Sequence, residues 1–379
     1  MLPYMPGTGT DEIPVTSGPS AQGGSLPEID VRHVLSMSDC TGMFQHALYS
    51  LPDLDHGYCI DDNARALIAA MVHTRLCGDG QTPLPKRCYL AFLAHAFNES
   101  AGKFRNFMAY DRRWLEQVGS PDSQGRTIWA LGVTVESALD PDIRDLADDL
   151  FTKALPGVEV FHDLRSKAFT ILGIESYLQK YPAESEACTK ASAPAKVLRD
   201  RYAQEIYAAF AQRGTGDWPW CEDLVTYDNA KLCHAMLLAG QSMGRLEMVE
   251  QGLKSLGWLL EVQRSDKGHL SIIGNDGWLP RGGQKAAYDQ QPLEAHALVH
   301  ASLAAAQVSG NIDWVNEAWR CFRWFLGDND LGVALYAPKT GGCMDGLNPE
   351  GANRNQGAES TLAYLLSVLE LHRYHASLA

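Results

Sequence analysis

The sequence predicts an all-α fold, a closed (α/α)6 toroid of six helical hairpins with short β-hairpins in its loops, and three observations predict it. The first is recurrence: a polar passage stands directly before each of a series of apolar runs. Asp61-Asp62-Asn63 leads into residues 64–71, Ser123-Gln124-Gly125-Arg126 into 127–135 and Tyr227-Asp228-Asn229 into 230–238. Tyr288-Asp289-Gln290-Gln291 leads into 293–306 and Asn353-Arg354-Asn355-Gln356-Gly357 into 358–371, while Asp163-Leu164-Arg165 before 167–178 fits more loosely. The second is spacing, since these anchors lie roughly 40 to 65 residues apart, the length of two helices and their connections. The third is alternation. The anchored helices are rich in Ala, Gly and Leu on most faces, as buried helices are, whereas those between carry one apolar stripe and belong outside.

Taken in order, residues 1–27 are rich in Gly, Pro, Ser and Thr with little apolar content, which predicts a disordered leader before a single toroid domain over 28–379. Residues 41–47 read as a short helix ending near Pro52. The first inner helix is expected over 62–76, and residues 86–98, with Tyr89, Phe92, Leu93 and Phe97 at helical spacing, form its outer partner. Residues 103–107 read as a short strand with Trp114 beyond. A near copy at 268–272 has Trp278 beyond it, so the loop repeats as well as the helix. Further outer helices are expected over 140–155, 196–212, 246–263 and 312–326.

Composition narrows the function. The net charge is −14 and no basic run exists to neutralise phosphates, which argues against non-specific nucleic-acid binding. The nine cysteines are scattered without CxxC or zinc-finger spacing, pointing to reduced thiols and a cytoplasmic location. No apolar stretch reaches the roughly 20 residues that span a bilayer. Neither a metal nor a cofactor is expected: Asp53, Asp55, His56 and Asp61 carry donor atoms at loose spacing, more suited to a solvated loop.

In a toroid the entrances of the inner helices share one end, and the loops before them form a bowl. That end gathers Asp61, Asp62, Arg126, Asp228, Asp289 and Glu359 with Trp114, Trp218, Trp220 and Trp278. Indole faces stack on sugar rings, carboxylates and amides bind hydroxyls, and a pair of carboxyls can act as acid and base. Trp218-Pro219-Trp220-Cys221-Glu222 is the densest such passage. His56, Tyr58, Tyr227, Tyr288, Gln290, Asn355 and Gln356 complete the candidate substrate-binding set, and Arg126 and Arg281 are candidates to hold a carboxylate. Asp and Asn at these positions also suit simple helix capping.

The residues Thr41-Gly42, Gln45-His46-Ala47, Pro52, Gly57-Tyr58-Cys59 and Asp61-Asp62-Asn63-Ala64-Arg65-Ala66-Leu67 resemble a block of bacterial proteins encoded beside, or fused to, retaining glycosyltransferases, within the six-hairpin glycosidase superfamily. The block covers about 30 residues, and the looser helix pattern covers most of the chain. The resemblance implies the toroid, action on an oligosaccharide or glycan, and a glycosyltransferase as a functional partner. It leaves the mechanism open.

The residues themselves favour a glycosidase, in an inverting scheme with an acid and a base about 6.5 to 9.5 Å apart. Asp62 and Asp61 are the acid candidates, and Asp289 or Glu359, then Asp228, the base. Consecutive residues at a helix start diverge by about 100°, so one of the aspartates is expected to face the substrate and the other to cap. Rival readings are a sugar epimerase using His234 and His296, a phosphorylase, a terpene-type cyclase, and a catalytically silent glycan-binding module.

Overall fold

The computed structural model describes residues 26–78 and 83–378. The expected leader falls mainly on residues 1–25, outside the described residues; Leu26 packs against the core, and the Pro27 carbonyl accepts a 2.8 Å hydrogen bond from His372.

Twelve α-helices follow in order among the described residues: α1 (Arg32–Ser36), α2 (Ile60–Cys77), α3 (Lys86–Ala96), α4 (Pro121–Ser137), α5 (Pro141–Ala154), α6 (Leu164–Lys180), α7 (Ser192–Arg213), α8 (Ala230–Ser242), α9 (Leu246–Val262), α10 (Pro292–Ser309), α11 (Asp313–Arg323) and α12 (Ala358–Ala376). The even-numbered helices touch in a ring, α2 to α4 to α6 to α8 to α10 to α12 and back to α2. Outside them α3 packs on α2, α5 on α4, α7 between α6 and α8, α9 on α8 and α11 on α10, while the single-turn α1 leans on α12. The toroid is therefore closed.

Each inner helix is buried on most of its faces, as its uniform apolar content requires; α10 keeps every residue from Pro292 to Ala306 out of solvent. Small residues set the closest approach in the ring. A Cβ on Gly132 of α4 would lie 2.0 Å from the Gly173 carbonyl oxygen of α6, so only a bare backbone fits there.

Short antiparallel pairs tie the loops together, including Tyr58–Cys59 with Phe107–Met108 and Leu224–Val225 with Leu279–Pro280. The expected strand over 103–107 is split between two such pairs, Lys103–Phe104 and Phe107–Met108. The helix expected at 41–47 is absent. Met43 and Phe44 form single β-bridges to Ser38 and Tyr58, and the Met43 amide donates to Asn63 Oδ1 at 2.9 Å. Gly42 is pressed so close to Asn63 that a Cβ would meet its Oδ1 at 2.4 Å. Docking on α2 outweighs the local helical pattern.

Candidate active site

At the start of α2 the cap is Cys59, whose sulfur accepts the Asp62 amide at 3.4 Å. Asp61 and Asp62 follow in the first turn, and neither caps. The expectation that one of them would cap is thus corrected, and the same freedom extends around the rim. No side chain caps α8, α10 or α12, whereas Ser120 and Asp163 cap α4 and α6. Asp228 and Asp289 are released from that duty.

Arginines occupy the rim instead. Arg65, one turn into α2, donates to Asp62 Oδ1 at 3.0 Å and to Glu359 Oε2, at the start of α12, at 2.7 Å. Arg126 on α4 sits 2.9 Å from Asp228 Oδ2 and 3.8 Å from Asp61 Oδ1, with its guanidinium 4.0 Å above the Phe169 ring. Arg165 on α6 donates to Glu222 Oε2 at 2.9 Å and to Asn229 Oδ1 at 2.9 Å. Glu294 on α10 accepts the Asp228 amide and the Asn229 side-chain amide. Acids and arginines thus alternate across the helix entrances, each arginine spanning two elements.

Within this frame lies a cavity of about 310 Å³, lined among others by Asp61, Asp62, Arg65, Asp289, Asp345 and Glu359. Burial pushes the Asp62 carboxyl up to about 7, against the pull of Arg65 and with a further push from Glu359. Burial also raises Asp61, with Arg126 and Arg65 opposing, and it raises Asp289. It lifts Asp345 to about 6, against the hydrogen bonds from Gly357 and Ser360. The consecutive aspartates differ. Asp62 is almost wholly enclosed, its second oxygen taking the Cys59 thiol at 3.0 Å, while the Asp61 side chain keeps 21% exposure and its Oδ1 accepts no hydrogen bond. Both border the cavity.

The other sequence candidates scatter. Asp228 is fully buried against Arg126 and does not border the cavity. Tyr58 is buried, stacking on Phe44 at 4.8 Å and donating to Asp39 at 2.7 Å. His56 stands edge-on to His46, a cavity residue, at 4.7 Å. Tyr227 reaches Asp122 at 2.7 Å, and Glu222 is held by Arg165. Gln290 is fully buried, accepting from Trp324 at 3.0 Å, and Gln356 accepts from Thr340 at 2.6 Å. Asn355 pins the Tyr49 amide at 2.9 Å. Tyr288 is part-buried next to Asp289.

The tryptophans lie away from the acids. Trp220 is fully buried against Trp258 and Phe210, and Trp218 packs edge-on to Trp258. Trp114 packs on Phe92 and His95. Trp278 sits in a loop with φ +60°, and the exposed Arg281 bonds the Arg213 carbonyl and Thr215. None of these four indoles borders the acid-lined cavity. Conversely, Arg65 and Asp345 border the cavity and Glu294 accepts from Asp228 and Asn229, and none of the three is among the sequence candidates. Arg65 stands inside the Asp-Asp-Asn-Ala-Arg run, three residues after Asp62, where one helical turn brings it back to the same face. Asp345 follows a short strand in a loop and carries no helix-start signal.

Lys231 on α8 is buried with Nζ 3.2 Å from His300 Nδ1 and 3.5 Å from His296 Nε2, its own pKa pulled down by burial to about 8. Burial holds His234, His296 and His300 well below the usual imidazole range, with Lys231 adding to the effect.

No protein-family description and no curated protein matches the sequence. Solved structures do. The chain is similar to a sugar epimerase from a ruminal bacterium, with TM-score 0.67 and 12% identity over 92% of this chain and 95% of that one. It is similar to cellobiose 2-epimerase from Bacillus thermoamylovorans B4167, with TM-score 0.66 and 11% identity over 91% and 95%. A third is an inactive variant of the GH76A α-1,6-mannanase of a Salegentibacter species, altered to alanine at two consecutive aspartates and bound to α-1,6-mannotetrose, with TM-score 0.57 and 12% identity over 90% and 96%. At these identities the likeness establishes the (α/α)6 toroid.

Proposed function

We propose that the chain is a metal-independent glycoside hydrolase acting on an oligosaccharide or glycan at the rim cavity. The observation that carries this reading is the Asp62 carboxyl, raised to about 7 in a cavity it shares with Asp289 and Glu359. A carboxyl still protonated near neutrality can give its proton to a departing glycosidic oxygen, and a second carboxylate in the same enclosure can take one from water. Asp62 is the acid. Asp289 or Glu359 is the base, and Arg65, bonded to both Asp62 and Glu359, orients the pair. Asp61, which borders the cavity, binds a substrate hydroxyl or shares the proton with Asp62, and Asp228 holds Arg126 in place as its ion-pair partner.

Consecutive aspartates are also the residues whose loss marks the inactive mannanase, which supports placing Asp61 and Asp62 at the centre of the reaction. The resemblance of the block around Tyr58 to glycosyltransferase-linked proteins suits a substrate that such a partner builds. The unpaired cysteines suit the cytoplasm.

The test is turnover of an oligosaccharide panel. Asp62→Asn, and at least one of Asp289→Asn and Glu359→Gln, should lower kcat by about 10² to 10⁴ with KM little changed. If both base variants keep full activity, the base assignment is wrong. Azide added to the base variant and recovering activity as a glycosyl azide would identify which carboxylate is replaced and the stereochemical course.

The epimerase reading rests on the similarity to two sugar epimerases. His46 is the one histidine bordering the rim cavity, while His234 and His296 lie deeper around Lys231. Solvent deuterium entering a free sugar, abolished by His46→Ala, would favour it; hydrolysis without deuterium uptake would remove it.

A further inference from the structure

A second cavity of about 310 Å³ opens at the far mouth of the toroid, where the inner helices end. Every inner helix contributes, among them Val72 on α2, Trp129 on α4, Gln179 on α6, His234 on α8, Gln307 on α10 and Tyr374 on α12. Ile68, Val72, Leu172, Leu238 and Leu303 supply apolar walls, and Glu136, Gln179, Gln307 and Arg373 supply polar ones. His234 is 3% exposed, and its Nδ1 finds no hydrogen-bond partner among the described residues. A buried ring nitrogen lining a cavity without a partner is a group awaiting one.

The charges around the mouth cancel in pairs. Glu136 is held by Arg75 at 2.7 Å, Glu175 by Arg199, and Glu370 by Arg373 at 2.7 Å. A strongly charged ligand would break one of these pairs and leave its partner exposed to a poorly solvated wall. An apolar ligand would strand the amides of Gln179 and Gln307 and the free His234 nitrogen. What fits is an uncharged ring with apolar C–H faces and a rim of hydroxyls, and the volume lies at the small end of ordinary ligand pockets.

We propose that this mouth is a second binding site, separate from the rim cavity, that takes a neutral saccharide of about one pyranose unit. The ring rests against Ile68, Val72 and Leu172, its hydroxyls bond His234, Gln179 and Gln307, and the Arg-paired glutamates accept from those that remain. The two cavities share no lining residue, and the buried Lys231 and the His296 beside it line neither. The inference does not depend on which reaction the rim performs.

The experiment is ligand-observed NMR and calorimetry with methyl α-D-mannoside, methyl α-D-glucoside and cellobiose, run on the parent protein and on Asp62→Asn and Glu359→Gln. Binding should persist in both rim variants. It should weaken about tenfold in Gln307→Leu, an exposed position that leaves the fold intact, and in His234→Phe, about the effect of one hydrogen bond lost from a desolvated wall. The proposal is overturned by no binding of any of the three sugars to protein of native circular dichroism, by binding indifferent to Gln307→Leu, or by binding lost in the rim variants alone. Displacement of the sugar by spermidine or citrate at lower concentration would overturn the neutral class. Failure of the hydrolase reading shows separately, as unchanged turnover in Asp62→Asn.

Discussion

Asp62 binds its proton more tightly in the folded chain than in the unfolded one, because burial raises its carboxyl from an ordinary 3.8 to about 7. A raised acid pKa penalises the folded state wherever the unfolded carboxyl is already ionised. The penalty is absent below about pH 4, grows through the interval, and is complete above about pH 7. Asp62→Asn should therefore match the parent in thermal midpoint near pH 4 and exceed it near pH 8, while losing activity; equal midpoints across that range would show that the carboxyl is not held this way. Glu294, raised by burial and Asp228 to about 7, adds to the same slope in the parent. Arg126 presents the opposite case. It is the ion-pair partner of a fully buried Asp228, so Arg126→Leu leaves a carboxylate enclosed without a counter-charge and should cost about 3 to 5 kcal/mol in urea unfolding. Adding Asp228→Asn should recover much of that, since the two losses are coupled.

The elements were the legible part of the sequence, and the reasons are particular. Helices such as α10, buried from Pro292 to Ala306, announce themselves by apolar residues on every face, and outer helices such as α11 by a single stripe. The acids before them were legible as entrances, yet composition alone does not separate a cap from a free carboxylate. That depended on Cys59 taking the cap of α2. Trp218 and Trp220 misled because an indole serves a sugar site and a helix interface equally well, and these two fill the space beside Trp258 on α9. Asp345 escaped because no helix follows it. The contact between α4 and α6 is another feature that no single helix displays, since Gly132 and Gly173 are unremarkable until their backbones meet. Gly132→Ala forces the two helices apart and should destabilise by about 1 to 3 kcal/mol, moving Arg126 and Arg165 with them and lowering turnover. Gly257→Ala, whose nearest atom would be 3.7 Å away on Trp314, should be neutral or slightly stabilising by comparison.

At the scale of the whole molecule the ring has no free end. The last inner helix, α12, touches both α10 and α2, and the bond from Arg65 to Glu359 crosses that seam at 2.7 Å. The site and the closure are thus made by the same contact, with one acid on the first inner helix and another on the last. The helix buries Leu362, Tyr364, Leu365, Leu366, Val368, Leu369 and Leu371. At roughly 1.5 to 3 kcal/mol for each such side chain, their burial is worth on the order of 10 kcal/mol, comparable to the whole stability of an ordinary domain. A chain ended at Gly357 should therefore lose cooperative unfolding altogether rather than shed one local unit, exposing the facing surfaces of α2 and α10 and binding a hydrophobic dye. A chain ended at Tyr374 retains every buried residue of α12 and should unfold as the parent does. Sigmoidal urea unfolding by the shorter chain, with a denaturant slope near that of the parent, would mean that five hairpins stand without the sixth and that closure is not what holds the rim acids together.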